Sequence, residues 1–343
     1  MSDAGHTAVK KKRRRRRRPR QSGRRRALPT FAVIDLGTNN CRLLVARVTP
    51  GGTLRVVDSF SRIVRLGEGV AQTGELSENA IDRTIDALKV CAERIGRRGA
   101  VRVRAIATEA CRRARNAQHL IDRAQDETGI ALSVVSAEEE ARLAAIGCAP
   151  LIGKGFAGAL VFDIGGGSTE IIWLRTSGHG VETVHSSSVP VGVVSLAEER
   201  TGRGRDAYRT MRADMIARFA PVRDAMAGKG AFGADANHLL GTSGTVTTLA
   251  GIALGLERYN RALVDASWHE SGTILDVIDR LVALDVPARA RLGCVGEERA
   301  DLIVPGCAIF GAIHALWPCS RLRVADRGLR EGMLRELAME VGE

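Results

Sequence analysis

FAVIDLGTNNCRLLVARV (residues 31–48) and ALVFDIGGGSTEIIWL (residues 159–174) are two copies of one pattern. Each runs through strand-forming apolar residues to an aspartate, Asp35 or Asp163, then through a glycine turn with small hydroxyl or amide residues, then into a second apolar run. The two aspartates stand 128 residues apart, so the unit is duplicated. Strand formers on both sides of each turn predict two β-hairpins. Glycine lets a turn gather backbone N–H groups toward one point, which suits an anion, and a carboxylate beside it can hold the cation that accompanies a phosphate. Two such turns facing each other would grip a run of phosphates from both sides. The candidate phosphate contacts are Gly37, Thr38, Asn39 and Asn40 in the first turn and Gly165, Gly166, Gly167 and Ser168 in the second. Strand residues, not a helix, follow the glycines, which argues against a dinucleotide fingerprint; no Lys follows them, which argues against a P-loop. A pair of tight turns with capping aspartates is the plainer alternative, and the duplication weighs against it.

At 343 residues and 45% hydrophobic content, the chain suits two domains of ordinary size, each with its own core. Residues 1–26 carry thirteen Lys or Arg against one acid, Asp3. Their net charge of +12 equals that of the whole chain, so the body from Ala27 onward is formally neutral. A run of this kind repels itself and buries no core. Residues 1–30 are therefore expected to be a disordered basic tail, and residues 10–26 to be able to bind nucleic acid non-specifically. The tail lacks the apolar segment of a secretory signal and the amphipathic pattern of a transit peptide, and no window approaches a membrane span. Seven scattered Cys without a C-x-x-C pair predict free thiols in a reducing cytoplasm. No H-E-x-x-H or clustered His/Cys points to zinc.

The pattern between the hairpins alternates strands and helices, which indicates an α/β fold. A strand is expected over residues 59–66, a helix over 77–95 capped by Ser77, a strand over 101–107, a helix over 116–128 and a strand over 132–135. A helix then starts at Ser136 with capping-box spacing to Glu139. Glycines between residues 153 and 158 put the domain boundary near Ala149, giving an N-terminal domain of 31–148 and a C-terminal domain of 149–343. After the second hairpin, a strand near Val189, helices over 196–226 and a strand over 238–240 repeat the order, and helices dominate the remainder.

In sequence order, VIDLGTNNCRLLVARV, ATEACRRARN, SAEEEARLAAIG, VFDIGGGSTEIIWL, LLGTSGTVTTLAGIALGL and ERADLIVPGCAIFGAI strongly resemble the exopolyphosphatase / guanosine pentaphosphate phosphohydrolase family. The resemblance covers roughly residues 31–337 and looks like the short form, without an appended HD-type helical domain. It implies two ribonuclease-H-like domains of the actin, sugar-kinase and Hsp70 superfamily with the active site in the cleft between them. It also implies magnesium-dependent (or manganese-dependent) removal of a terminal phosphate, and a homodimer. By the same resemblance Glu140 is the general base, with Glu139 one residue away as the alternative. Arg112 contacts the transferred phosphate, with Arg113 its alternative. Glu170 helps arrange metal or water, and Asp35 and Asp163 place the metal. A carboxylate suits a base for in-line attack of water, and a planar guanidinium suits phosphoryl charge. Read locally, Glu140 is also an acid in a first helical turn, Glu170 a strand-edge acid and Arg112 a helix-end arginine.

GTSGT (residues 241–245) is not the hydrolase elbow G-x-S-x-G, because Thr245 closes it. It reads as another glycine turn entering a helix. The expected activity is hydrolysis of terminal phosphoanhydride bonds in the cytoplasm, on inorganic polyphosphate first and the guanosine pentaphosphate alarmone second. The alternatives are a small-molecule kinase on the same fold, which would need an acceptor, and a non-catalytic polyphosphate- or alarmone-binding regulator, which would bind without turnover.

Overall fold

The computed structural model describes residues 29–49, 53–178, 180–200, 202, 204–230, 232–233 and 235–342, together with Met1. The expected basic tail, residues 10–26 included, lies outside the described residues. The first hairpin forms from β1 (Thr30–Leu36) and β2 (Asn40–Val48), and β3 (Leu54–Ile63) continues the meander. α1 (Glu78–Arg98) follows, with the Ser77 side chain accepting from the Ala80 N–H, then β4 (Arg102–Ala107), α2 (Ala117–Thr128), β5 (Leu132–Val134) and α3 (Ala137–Cys148). The sheet order is β3-β2-β1-β4-β5, with β1, β4 and β5 parallel and β2 antiparallel to β1.

The second half repeats this plan. β6 (Gly158–Ile164), β7 (Thr169–Ser177) and β8 (Gly180–Val189) form the meander. α4 (Val193–Glu199), α5 (Gly204–Ala227), β9 (Asn237–Thr242), α6 (Gly244–Ala253), β10 (Trp268–Glu270), α7 (Ser271–Ala283), α8 (Ile303–Leu316), β11 (Arg321–Ala325) and α9 (Leu329–Gly342) complete it. The order β10-β11-β9-β6-β7-β8 is the first sheet's order with β10 added antiparallel at the edge. Two ribonuclease-H-like sheets therefore face one another.

Period-two alternation puts both faces of each sheet to use. Ala32, Ile34 and Leu36 pack toward α1 and α2, whereas Phe31 and Val33 pack under Leu329, Met333 and Leu334 of α9. On the second sheet Leu160, Phe162 and Trp173 meet α5 and α8, and Val161, Ile172 and Leu174 meet Ala141, Ala144 and Ala145 of α3. α3 and α9 thus form the layer between the sheets. The two helices touch backbone to backbone: a Cβ on Gly332 would lie 2.0 Å from the Leu143 carbonyl oxygen, and one on Gly147 would lie 1.9 Å from that of Gly328. Residues 329–342, which sequence order places in the second unit, pack with the first.

The helices expected over 196–226 are two, α4 and α5. Two local readings change. The third strand begins at Leu54 and stops before Arg65, whose φ of 48° turns the chain so that Val64 and Leu66 enter the core. Ser136 does accept from the Glu139 N–H at 3.2 Å, but the Glu139 carboxylate goes to Arg104 and Arg142 instead of closing a capping box.

Candidate active site

The two glycine turns have the same closure and lie against each other. Gly37 N–H donates to Asn40 O and Gly165 N–H to Ser168 O, each at 2.9 Å. None of these turn glycines has a left-handed φ; the need for glycine here is space. A Cβ on Gly166 would lie 3.1 Å from the Asn39 nitrogen, and one on Gly167 would lie 2.7 Å from the Thr38 hydroxyl oxygen. The turn carbonyls are drawn backward. Val64 and Arg65 N–H donate to Asn39 O, and Val193 and Val194 N–H at the start of α4 donate to Gly165 O and Gly166 O. The N–H groups of Thr38, Asn39, Gly166 and Gly167 have no protein acceptor among the described residues. The Oδ1 atoms of Asn39 and Asn40 are also buried without a partner. Unpaired donors and polar atoms converging on one place mark a ligand site, because leaving them unmet costs free energy.

They open into one cleft of about 670 Å³. All eight predicted phosphate contacts line it, as do Asp35, Asp163, Glu140 and Glu170. Asp163 and Glu170 are cross-strand partners in the second hairpin. Glu170 is 2% exposed and accepts from Ser188 Oγ at 2.9 Å. Burial pushes its carboxyl up to about 7, with the Asp163 charge adding to the effect; Asp163 is pushed up to about 6, chiefly by burial. Burial likewise raises Asp35, against the pull of Arg42, and holds Glu140 well above the usual carboxylate range, with Glu170 adding and Arg112 opposing. A buried group of acids that resist ionisation is suited to a cation. Among the described residues no three His, Cys, Asp or Glu side chains stand ready to chelate one on their own.

Glu140 and Glu139, neighbours on α3, have separate surroundings. Glu140 faces the cleft and accepts from Arg112 Nη1 at 2.8 Å, whereas Glu139 is tied to Arg104 and Arg142. Arg112 itself does not line the cleft. Its Nε and Nη2 donate to Glu109 at 3.0 and 2.8 Å, and Nη1 also donates to Val135 O at 3.0 Å, so most of its donors are committed to protein.

The guanidiniums on the wall are others: Arg42, Arg261, Arg299, Arg327 and Arg330. Among the described residues, Arg42, Arg299 and Arg330 have no hydrogen-bonded or ion-paired side-chain partner. Burial, followed by the Arg42 charge, lowers Arg299; burial also lowers Arg330, opposed by Glu331 and Asp35, with Arg42 adding. Three guanidiniums on one cleft wall whose donors no side chain takes up suit an anion. Sequence reading missed them, although one signal was available. Arg42 follows Asp35 by seven positions just as Glu170 follows Asp163, and in both hairpins the two positions are register partners. Ser243, in GTSGT, was also undervalued. It has a φ of 103°, and its hydroxyl is buried without a partner on the cleft wall at the start of α6.

The family model for the Ppx/GppA phosphatase family matches residues 44–340. The chain belongs to that family. Exopolyphosphatase 2 of Mycobacterium tuberculosis is 35% identical over 91% of this chain and 99% of its own length. Guanosine-5'-triphosphate,3'-diphosphate pyrophosphatase of Photobacterium profundum is 31% identical over 90% of this chain and 59% of its own length. Among solved structures, the Aquifex aeolicus member of the Ppx/GppA family has a TM-score of 0.75 at 29% identity, covering 92% of this chain and 99% of that one. An exopolyphosphatase from Cytophaga hutchinsonii has a TM-score of 0.82 at 25% identity, covering 91% and 98%. The fold described above is thus shared with solved members of that family.

Proposed function

We propose that the protein hydrolyses terminal phosphoanhydride bonds, releasing phosphate from inorganic polyphosphate and converting guanosine pentaphosphate to tetraphosphate. One observation carries the reading: two glycine turns present unpaired amides to the same cleft that holds Glu140 and the guanidiniums of Arg42, Arg299 and Arg330, none of them hydrogen-bonded to a side chain among the described residues. The amides and the guanidiniums of Arg42, Arg299 and Arg330 bind and orient phosphate oxygens. Glu140, kept basic by burial and fixed by Arg112, takes the proton of the attacking water. Arg112 in this reading positions the base instead of touching the phosphate. Glu139 has no such role, since its carboxylate serves the α3–α9 layer. Asp163 and Glu170, with Asp35 nearby, would hold magnesium, or manganese in its place, which supplies charge neutralisation on the phosphates.

Cytoplasmic residence is supported by seven free, buried cysteines, and no described helix is long and apolar enough to cross a membrane. A homodimer rests on the family resemblance, and nucleic-acid binding by residues 10–26 rests on their charge. The test is phosphate release by the purified protein from long polyphosphate, tripolyphosphate, guanosine pentaphosphate and ATP in parallel, with and without magnesium. Release from polyphosphate and guanosine pentaphosphate in water alone is expected. Turnover that appears only with ATP and an acceptor would assign a kinase, and binding without release would assign a regulator.

A further inference from the structure

Among the described residues, two aromatic side chains line the cleft, Phe60 and Tyr259. Phe60 is covered, with the guanidiniums of Arg62 and Arg94 5.3 and 5.2 Å from its ring centroid. Tyr259 is 39% exposed, and its ring is held without being buried. The hydroxyl donates to Asp326 Oδ2 at 2.5 Å, and Asp326 is in turn paired with Arg261 Nε at 3.3 Å. Tyr259 shares the cleft wall with the guanidiniums of Arg42, Arg261, Arg299, Arg327 and Arg330. A bare phosphate chain has no use for an accessible aromatic ring among guanidiniums, whereas a nucleoside polyphosphate presents phosphates and a flat base together.

We infer that Tyr259 is a specificity-determining residue whose accessible ring stacks on a nucleobase in the cleft, beside the arginines. The inference rests on the reading of this cleft as a phosphoanhydride site. Stacking on an aromatic ring is tolerant of base identity, so it distinguishes nucleotide from polyphosphate more than guanine from adenine.

The test is titration calorimetry of the full chain in EDTA, where turnover plays no part, with GTP and tripolyphosphate as probes carrying equal numbers of phosphates. Tyr259→Ala should weaken GTP about 10-fold, within the range for loss of one base–aromatic stack, and leave tripolyphosphate within about twofold. Tyr259→Phe, which keeps the ring and loses the Asp326 bond, should bind both probes as the unaltered chain does. The subsite is overturned if the unaltered chain does not bind GTP, if Tyr259→Ala leaves GTP binding unchanged, or if either variant weakens both probes alike. That last result would assign Tyr259 to the Asp326–Arg261 network. Phosphate release with magnesium tests the catalytic reading separately: a chain that stacks GTP on Tyr259 but releases no phosphate keeps the subsite and loses the hydrolase.

Discussion

Gly332→Ala should loosen the layer between the two sheets and, through it, the active site. The added Cβ would stand 2.0 Å from the Leu143 carbonyl oxygen, whereas side-chain carbons are not found closer than 3.0 Å to a neighbour, so α9 and α3 must part by about 1 Å. Backbone lies on both sides, so no side chain can rotate away. Overpacking of this kind costs about 1–3 kcal/mol. Leu143 is one helical turn from Glu140, and α9 starts at Leu329, beside Arg330, so the displacement reaches both walls of the cleft. A shift of about 1 Å in a catalytic group can cost on the order of 10²-fold in rate. Urea denaturation and phosphate release are the two readouts. Gly96→Ala is the control, because Gly96 is on the exposed side of α1 and a Cβ there meets nothing within 4 Å, and it should be neutral or slightly stabilising. Wild-type stability and turnover in Gly332→Ala would refute the argument that backbone contact between α3 and α9 sets the catalytic geometry.

Glu140→Gln should lower turnover by about 10²–10⁴-fold while tripolyphosphate still binds, and Glu139→Gln should stay within about threefold; the reverse pattern would exchange their roles. Asp163 and Glu170 have folded-state values, about 6 and about 7, above their unfolded ones, so ionising them opposes folding. In EDTA, the contribution of these two groups to stability, read by urea denaturation, should therefore be greatest below about pH 4 and fall as pH rises through 6 and 7. Glu170→Gln should flatten that fall, and an unchanged profile would remove the buried acids as its cause. Deleting residues 1–26 should raise KM for long polyphosphate and weaken its salt dependence, leaving tripolyphosphate kinetics unchanged. Equal kinetics on long chains at low salt, with and without the tail, would refute substrate capture by the tail.

Both hairpins and the repeated strand–helix order were legible because period-two apolar runs and glycine turns are local signals. The return of α9 was not, since nothing in Leu329–Gly342 says which sheet its apolar residues will cover; that depends on Gly332 and Gly147 admitting a backbone contact. β11 was lost among helices because Arg321 and Arg323 interrupt a five-residue strand, and both lie over the Trp268 ring. In the cleft, the residues of the turns were readable from their type and spacing. Arg299 and Arg330 were not, because a surface arginine and a cleft arginine look alike until the absence of a carboxylate partner is seen. The converse holds for Arg112, whose donors turn out to be committed to Glu140, Glu109 and Val135.

The matched hairpins differ at one register position, where Arg42 in the first stands in the place of Glu170 in the second. Inorganic polyphosphate has no direction, since its two ends are chemically the same. A cradle built from two identical halves would hold it equally well in either sense and at any point along its length. One substitution of sign breaks that symmetry: beside Asp35 the first hairpin places the cation Arg42, where beside Asp163 the second places the acid Glu170. In the proposed reading, a phosphate would approach Glu140 where a bound cation covers the acids, and the chain would lie along the arginines. The polarity an undirected polymer lacks is thus supplied by the protein, and it is what makes an end recognisable as an end.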